Sequence, residues 1–188
     1  MHHIYVTDGV VLGKRGVGEA NTLVSVLTQE LGFVRGSARS TRLVVSKLRY
    51  GLEPLTHARF SFVKGRNEWR LVSVERAENM FSTATPAQRA AAGRVSQLLL
   101  RLIHGQEPST ALYRDIIGGF AALRTHDTAS VETVLVLRIL NRLGYLPHTE
   151  ALAPFVEADY SVELSAEALK SRSLLIRTIN ESLQATGL

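Results

Sequence analysis

The hydrophobic period of the chain changes near residue 82, and this change limits the possible folds more than any other feature. Before it, short runs of β-branched and aromatic residues alternate with polar ones, which predicts strands. After it, apolar residues recur at helical spacing. The sequence therefore predicts an α+β protein, with a small barrel or sandwich in residues 1–80 and a helical domain in residues 85–188. The five expected strands are Thr7–Leu12, Asn21–Thr28, Phe33–Arg39, Thr56–Lys64 and Trp69–Arg76.

An OB-type barrel is the natural candidate for the first domain, and an SH3-like barrel is the alternative that the strand pattern leaves open. The helical half begins with TPAQ at residues 85–88, a capping-box arrangement with proline at the first helical position. The further expected features are a second helix from Ser109, a close helix crossing at Gly118-Gly119, a central buried helix over Ser130–Leu143 (or a buried strand), an irregular stretch at 146–164 and a last helix from Ser165.

Basic residues are concentrated in the first half of the chain. The formal net charge is +5, and all of the excess lies in residues 1–80. Such asymmetry predicts that the first half meets a polyanion. Within residues 33–49 no acid interrupts the basic side chains, so we expect a phosphate-binding surface, with an ordinary solvated loop as the alternative. The expected DNA-facing residues are Arg35, Arg39, Arg42, Lys47 and Arg49.

Several functional classes lack support in the sequence. Cysteine is absent and the six histidines are scattered, so we expect no metal site and no cofactor. The glycine-rich run at residues 13–18 fits neither the Walker nor the dinucleotide pattern, and a plain β-turn is expected there. No catalytic constellation appears, which argues against an enzyme. Without a signal peptide or a membrane-length apolar run, we expect a cytoplasmic protein that does not enter a membrane.

Several stretches resemble the RecO family of DNA repair and recombination mediators. The first domain resembles that family in GEAN at 18–21, TQELG at 28–32, the basic segment at 36–42, SKLRYGLEPL at 46–55, FVKGR at 62–66 and WRL at 69–71. Downstream, LRIL at 137–140 and LGY at 143–145 are similar to the family's core helix. The match covers residues 4–80 well and 85–147 loosely.

The resemblance implies an OB-fold domain followed by a helical domain. It also implies binding of single- and double-stranded DNA, annealing of complementary strands, and partnership with a RecR-like protein, single-stranded-DNA-binding protein and a RecA-type recombinase. Many members carry a four-cysteine zinc module after the Leu-Gly-Tyr segment, whereas residues 146–164 contain no cysteine. The chain is therefore identified as a short form without that module. Val136 stands where the family's core helix commonly has an acid.

Two further sets of residues have a functional and a structural interpretation. Arg94 and Arg101, seven apart on the first helix, with Tyr113, are expected to rim a slot for the acidic tail of single-stranded-DNA-binding protein, or else to be solvent-facing charges. Phe33, Tyr50 and Trp69 are possible stacking platforms for bases, with core packing as the alternative. Packing is favoured for Phe60, Phe62 and Trp69, and both interpretations remain open for Phe33 and Tyr50. The alternative function is a non-enzymatic protein–protein adaptor with an incidental basic domain.

Overall fold

The computed structural model describes residues 3–19, 21–39, 50–66, 68–105, 107–147 and 149–185. The chain forms two compact units. The first contains Met1–Ser82 together with Ser96–Tyr113, and the second contains Thr83–Val95 together with Arg114–Leu188. Both units draw on the first two helices of the chain.

The first unit is built on a closed five-stranded barrel. Its strands are β1 (Ile4–Val17), β2 (Asn21–Thr28), β3 (Gly32–Ala38), β4 (Thr56–Lys64) and β5 (Trp69–Asn79), with a short 3-10 helix at Tyr50–Leu52. Their order around the barrel is β1-β2-β3-β5-β4, and β4 pairs back onto β1. All neighbours are antiparallel except β3 and β5, which are parallel. Closure pairs the edges that an open sheet of these strands would leave exposed.

Alternation along β4 fills the barrel with aromatic side chains. Phe60 and Phe62 are fully buried, and their ring centroids lie 5.9 Å apart. Trp69 meets Phe62 edge-on at 6.2 Å and is also buried. A Cβ added at Gly36 would lie 2.9 Å from the Phe62 ring, so the backbone of β3 must pass close to this aromatic layer. The packing interpretation of these three aromatics is confirmed.

The prediction of a β-turn at residues 13–18 is wrong, because β1 continues through Val17. Residues 13–17 pair with residues 25–21 of β2, after a register shift between Val11 and Gly13. A bulge of this kind lets one strand gain a residue and bend while its ladder continues. The turn comes later, at Gly18, whose φ of 60° lies in the left-handed region that suits glycine. Lys14 and Arg15 therefore project from a strand and not from a loop.

The helices are α1 (Pro86–Leu102), α2 (Thr110–Ala122), α3 (Thr128–Arg142), α4 (Ala153–Glu157), α5 (Val162–Lys170) and α6 (Arg172–Ala185). The capping box of α1 is confirmed: the Thr85 amide donates to Gln88 Oε1 at 2.8 Å, and the Gln88 amide donates to Thr85 Oγ1 at 3.3 Å. Ser109 caps α2 as expected, accepting from the Leu112 amide at 3.2 Å. Among the described residues, no helix is both long and apolar enough to cross a membrane.

The glycine pair of α2 marks a close helix crossing, as its sequence predicts. A Cβ added at Gly119 would lie 2.5 Å from Cδ1 of Leu135 on α3, nearer than side chains approach one another. At Gly118 the same atom would make only an ordinary contact, 3.9 Å from the Tyr160 ring. Gly119 therefore sets the distance between α2 and α3, and the buried helix predicted at 130–143 is confirmed as α3.

Two predictions for the later part of the chain are wrong: the irregular stretch at 146–164 and the helix that begins at Ser165. The stretch contains α4 and the start of α5, and Ser161 caps α5 by accepting from the Leu164 amide at 3.1 Å. Arg138, nearly buried in the apolar run of α3, explains the order in this segment. Its guanidinium donates to the carbonyl oxygens of Phe155 and Ala158 and stacks on the Tyr160 ring at 4.2 Å. A charge that would be costly without partners thus holds the segment against α3.

Candidate nucleic-acid interface

A row of residues crosses the outer surface of the barrel from β1 to β5. Arg15 of β1 pairs with Leu23 of β2, Leu23 pairs with Ser37 of β3, and Ser37 pairs with Arg70 of β5. Residues directly opposite one another in paired strands project from the same face of a sheet. Their neighbours Val24 and Trp69 are buried in the core, so this row faces outward and exposes Arg15 and Arg70.

Strand β3 adds two more arginines to the same surface. Arg35 lies two residues before Ser37 and is exposed, and Arg39 follows the end of β3 and is also exposed. Because side chains alternate along a strand, Arg35 shares the outward side of β3 with Ser37, and Arg39 directly follows the last residue of β3. We call this surface, which carries Arg15, Arg35, Arg39 and Arg70, the basic face. Within the described ranges none of these four arginines forms an ion pair.

Phe33 supports Arg35 and is not an open platform for bases. The Arg35 guanidinium lies 5.3 Å from the centroid of the Phe33 ring, which is itself only 5% exposed. A cation over an aromatic face is held electrostatically by the ring. Of the three aromatic residues considered for stacking, only Tyr50 is open to solvent, at 81% exposure. Tyr50 directly follows Arg49 in the sequence, and stacking of a base on its ring stays a prediction.

A cleft runs beside the basic face within the first unit. Its volume is about 420 Å³, and strand and helix residues line it: Gly13, Lys14, Arg15, Leu23, Ser25 and Arg35 from the barrel, with Gln97 and Leu100 from α1. We call it the α1 cleft. A smaller slot of about 210 Å³ is lined by Phe33, Arg35, Ile103, His104 and Gly105. Arg35 borders both, so a ligand that follows the barrel surface from one to the other passes this guanidinium.

Two acidic residues of the barrel unit, Glu53 and Asp8, are already paired with basic side chains. Glu53 binds Lys14 with its Oε1 2.7 Å from Nζ, at the rim of the α1 cleft. Asp8 accepts two hydrogen bonds from Arg59, at 3.0 and 3.1 Å. The side-chain hydrogen bond from Arg59 holds the pKa of Asp8 below its usual value. Arg59 therefore neutralises a carboxylate, whereas the arginines of the basic face keep their charge for an external anion.

The structure distributes the three expected partner-binding residues differently. Arg94, in the second unit, donates to both carboxylate oxygens of Glu132 at 2.7 Å. Tyr113 is buried in the first unit with its hydroxyl 2.9 Å from His57 Nε2, and burial raises its pKa to about 12. Arg101 is exposed in the last turn of α1. Of the three, it is the cation that no described acid neutralises, and the partner site stays a prediction.

Three of the expected DNA-facing residues, Arg42, Lys47 and Arg49, lie outside the described residues. The basic face carries Arg35 and Arg39 from the expected set, together with Arg15 and Arg70 from outside it. The glycine-rich pattern of residues 13–18 favours a turn and so gives no indication that Arg15 projects from a strand. Arg70 had a usable signal, since it alternates with the buried Trp69 and Leu71. In the part of the chain that the structure describes, no cluster of three or more His, Cys, Asp or Glu side chains could hold a metal ion.

Comparison with known proteins gives two family matches. Residues 1–81 match the model of the N-terminal region of recombination protein O, and residues 85–153 match that of its C-terminal region. The first match spans all five strands, which confirms the predicted OB-type barrel followed by helices.

Curated relatives named DNA repair protein RecO are similar over most of the chain. The protein of Heliobacterium modesticaldum is 30% identical over 145 residues, which are 77% of this chain and 53% of the relative. That of Nocardioides sp. is 32% identical over 158 residues, 80% of this chain and 64% of the relative. That of Bifidobacterium adolescentis is 30% identical over 152 residues, 77% of this chain and 61% of the relative. The chain thus spans between half and two thirds of the length of these relatives.

Proposed function

Because this chain belongs to the RecO family, we propose that it acts in DNA repair as a recombination mediator that holds DNA on the basic face of its barrel. The observation that carries this proposal is the convergence of Arg15, Arg35, Arg39 and Arg70 on one outer surface without acidic partners among the described residues. Arginines that neutralise phosphates release counterions, and this release provides affinity for any nucleic-acid sequence. OB-type barrels bind single strands on such surfaces.

The proposed mechanism needs binding and release and no chemical step. Contacts to phosphate fix the position of a strand without reading its bases, so the bases stay free to pair with a complementary strand. We therefore infer that the protein binds both single- and double-stranded DNA and anneals complementary strands. In this mechanism Arg42, Lys47 and Arg49, which lie outside the described residues, contribute further phosphate contacts.

Delivery of a RecA-type recombinase requires protein partners as well. We infer that a RecR-like protein and single-stranded-DNA-binding protein are among them, and that Arg101 contributes to binding the acidic tail of the latter. Arg101 supports this role because it is exposed, whereas Arg94 is held by Glu132 and Tyr113 is buried. A guanidinium is suited to a terminal carboxylate, which it can bind with two parallel hydrogen bonds.

Salt titration of oligonucleotide binding tests the proposal. For the complete chain with a fluorescent oligothymidylate, four phosphate contacts give a log–log slope of about −3, at ~0.7 per contact, and further contacts steepen it. The double variant Arg35→Glu/Arg39→Glu should bind far more weakly. Arg172→Glu/Arg177→Glu is the matched control, because it changes the net charge equally at exposed positions of the second unit. A slope near zero, or equal losses in both variants, would refute the proposal.

A further inference from the structure

Helix α1 forms one wall of the α1 cleft. Gln97 and Leu100 of α1 face Arg15 and Arg35 of the barrel across this space. A Cβ added at Gly13 would lie 3.1 Å from Leu100 Cδ1, so the helix packs tightly against β1 at one end of the cleft. The basic face is therefore bounded on this side and is not an open surface.

The α1 cleft is lined by basic, apolar and neutral polar side chains. Arg15 and Arg35 present guanidinium groups, whose planar forks match the oxygens of a phosphate. Leu23 and Leu100 present apolar side chains to the same space, and Gln97 and Ser25 add neutral hydrogen-bonding groups. Phosphate beside an apolar surface with a few amide and hydroxyl groups is what a nucleotide of an unpaired strand requires. A duplex does not offer unstacked base faces to such a surface, because its bases are stacked and paired inside.

The dimensions of the cleft lead to the same distinction. Its volume of about 420 Å³, and the 210 Å³ of the adjoining slot at Phe33 and His104, accommodate a short piece of one strand. A B-form duplex, whose major groove alone is about 12 Å wide, can touch only the rim. The two spaces share Arg35, so a strand that enters one continues past this side chain into the other.

We propose that the α1 cleft is a subsite for unpaired nucleotides, in which Arg15 and Arg35 bind phosphate and a base lies between Leu23 and Leu100. Helix α1 thereby gives the basic face a preference for single strands over duplex. This inference rests on the proposed function, since it assumes that the basic face binds nucleic acid. It assigns to α1 a direct contact with the strand.

Site-specific crosslinking tests the contact directly. The chain has no cysteine, so Gln97→Cys introduces a unique thiol at an exposed position, where a benzophenone maleimide can be attached. The probe is an oligothymidylate of about 16 nucleotides, the upper end of the site size of one OB fold. Irradiation should crosslink it at position 97, and unlabelled single strand should compete better than duplex. Glu181→Cys, exposed on α6, is the control that should crosslink little.

Affinity measurements supply an independent readout. Gln97→Glu places a carboxylate in the cleft and should weaken single-strand binding about fivefold, by repulsion of the phosphate, while duplex binding changes less. Gln184→Glu adds the same charge at an exposed position of α6 and should leave both affinities near those of the natural chain. The inference is overturned if the natural chain binds the oligonucleotide but position 97 neither crosslinks above the control nor discriminates between single strand and duplex. If the natural chain binds no oligonucleotide at all, the proposed function fails too.

Discussion

The crossing of α2 and α3 makes a sharp prediction, because two adjacent glycines of α2 should respond to the same substitution in opposite directions. Alanine is favoured over glycine inside a helix by about 1 kcal/mol. At Gly118 the new methyl group makes only an ordinary contact with Tyr160, so Gly118→Ala should stabilise the protein by roughly that amount. At Gly119 the methyl group would lie 2.5 and 2.6 Å from the two terminal methyl groups of Leu135.

Leu135 is fully buried and has little room to withdraw. Overpacking of this kind typically costs about 1–3 kcal/mol, which exceeds the gain in helix propensity at most of that range. Gly119→Ala should therefore destabilise the protein by up to ~2 kcal/mol, seen as a melting temperature about 2–4 °C lower for each kcal/mol. Urea and thermal unfolding, followed by far-ultraviolet circular dichroism, measure both variants.

A double-mutant cycle identifies the cause. Leu135→Ala alone should cost about 2–5 kcal/mol through the cavity it leaves. Combined with Gly119→Ala, it removes the side chain that the new methyl group meets, so the two losses should be less than additive by about 1 kcal/mol or more. If Gly119→Ala stabilises the protein as Gly118→Ala does, or if the losses add, α2 and α3 do not cross as closely as described.

Four further outcomes are expected. Arg70→Ala should reduce the salt slope of single-strand binding by about 0.7, as the loss of one phosphate contact requires, while Arg177→Ala on α6 should leave it unchanged. The side-chain hydrogen bond from Ser130 lowers the pKa of Asp127, the cap of α3. Its stabilisation is thus present above the ordinary pKa of aspartate and is lost as the pH falls through the lowered one; Asp127→Ala should cost ~1 kcal/mol at neutral pH and much less in acid, by urea unfolding. An acidic, aromatic-tipped tail peptide should bind in calorimetry, and Arg101→Ala should weaken it by ~1.5–3 kcal/mol; absence of heat would exclude this contact. A chelator should leave the melting temperature unchanged, since no cysteine is present, and stoichiometric zinc in the purified protein would contradict this.

Local patterns of the sequence predicted the features that depend on neighbouring residues. The capping box at residues 85–88 and the alternation of Ala58, Phe60 and Phe62 each require only adjacent positions, and both are confirmed. Gly119 also gave a local indication of the close contact. A glycine inside a helix is costly, so its presence favours a position where a neighbouring side chain approaches the backbone closely.

Features that depend on distant contacts could not be predicted in this way. Arg15 and Arg70 share a face only because β3 and β5 pair in parallel, and no local pattern specifies that pairing. The strand continues past the bulge between Val11 and Gly13 into residues whose glycine-rich pattern predicts a turn. Nothing in the sequence indicated that Arg138 holds α4 and the residues after it against α3, because a single arginine in an apolar run is expected to be exposed until its carbonyl partners are known.

The parallel seam between β3 and β5 has a consequence for how the barrel opens. In the described residues it consists of the pairs Gly36–Trp69 and Ser37–Arg70, whereas the antiparallel seams extend along most of their strands. We expect amide hydrogens at this short ladder to exchange before those of the longer seams, because fewer hydrogen bonds must break to separate its strands. Arg39 follows β3 and Arg70 lies on β5, so a DNA strand bound to both side chains would hold the two β-strands together across this seam. Hydrogen exchange at the amides of β3 and β5 should then slow on binding. The bound DNA would stabilise the closed barrel at the seam that has the fewest hydrogen bonds of its own.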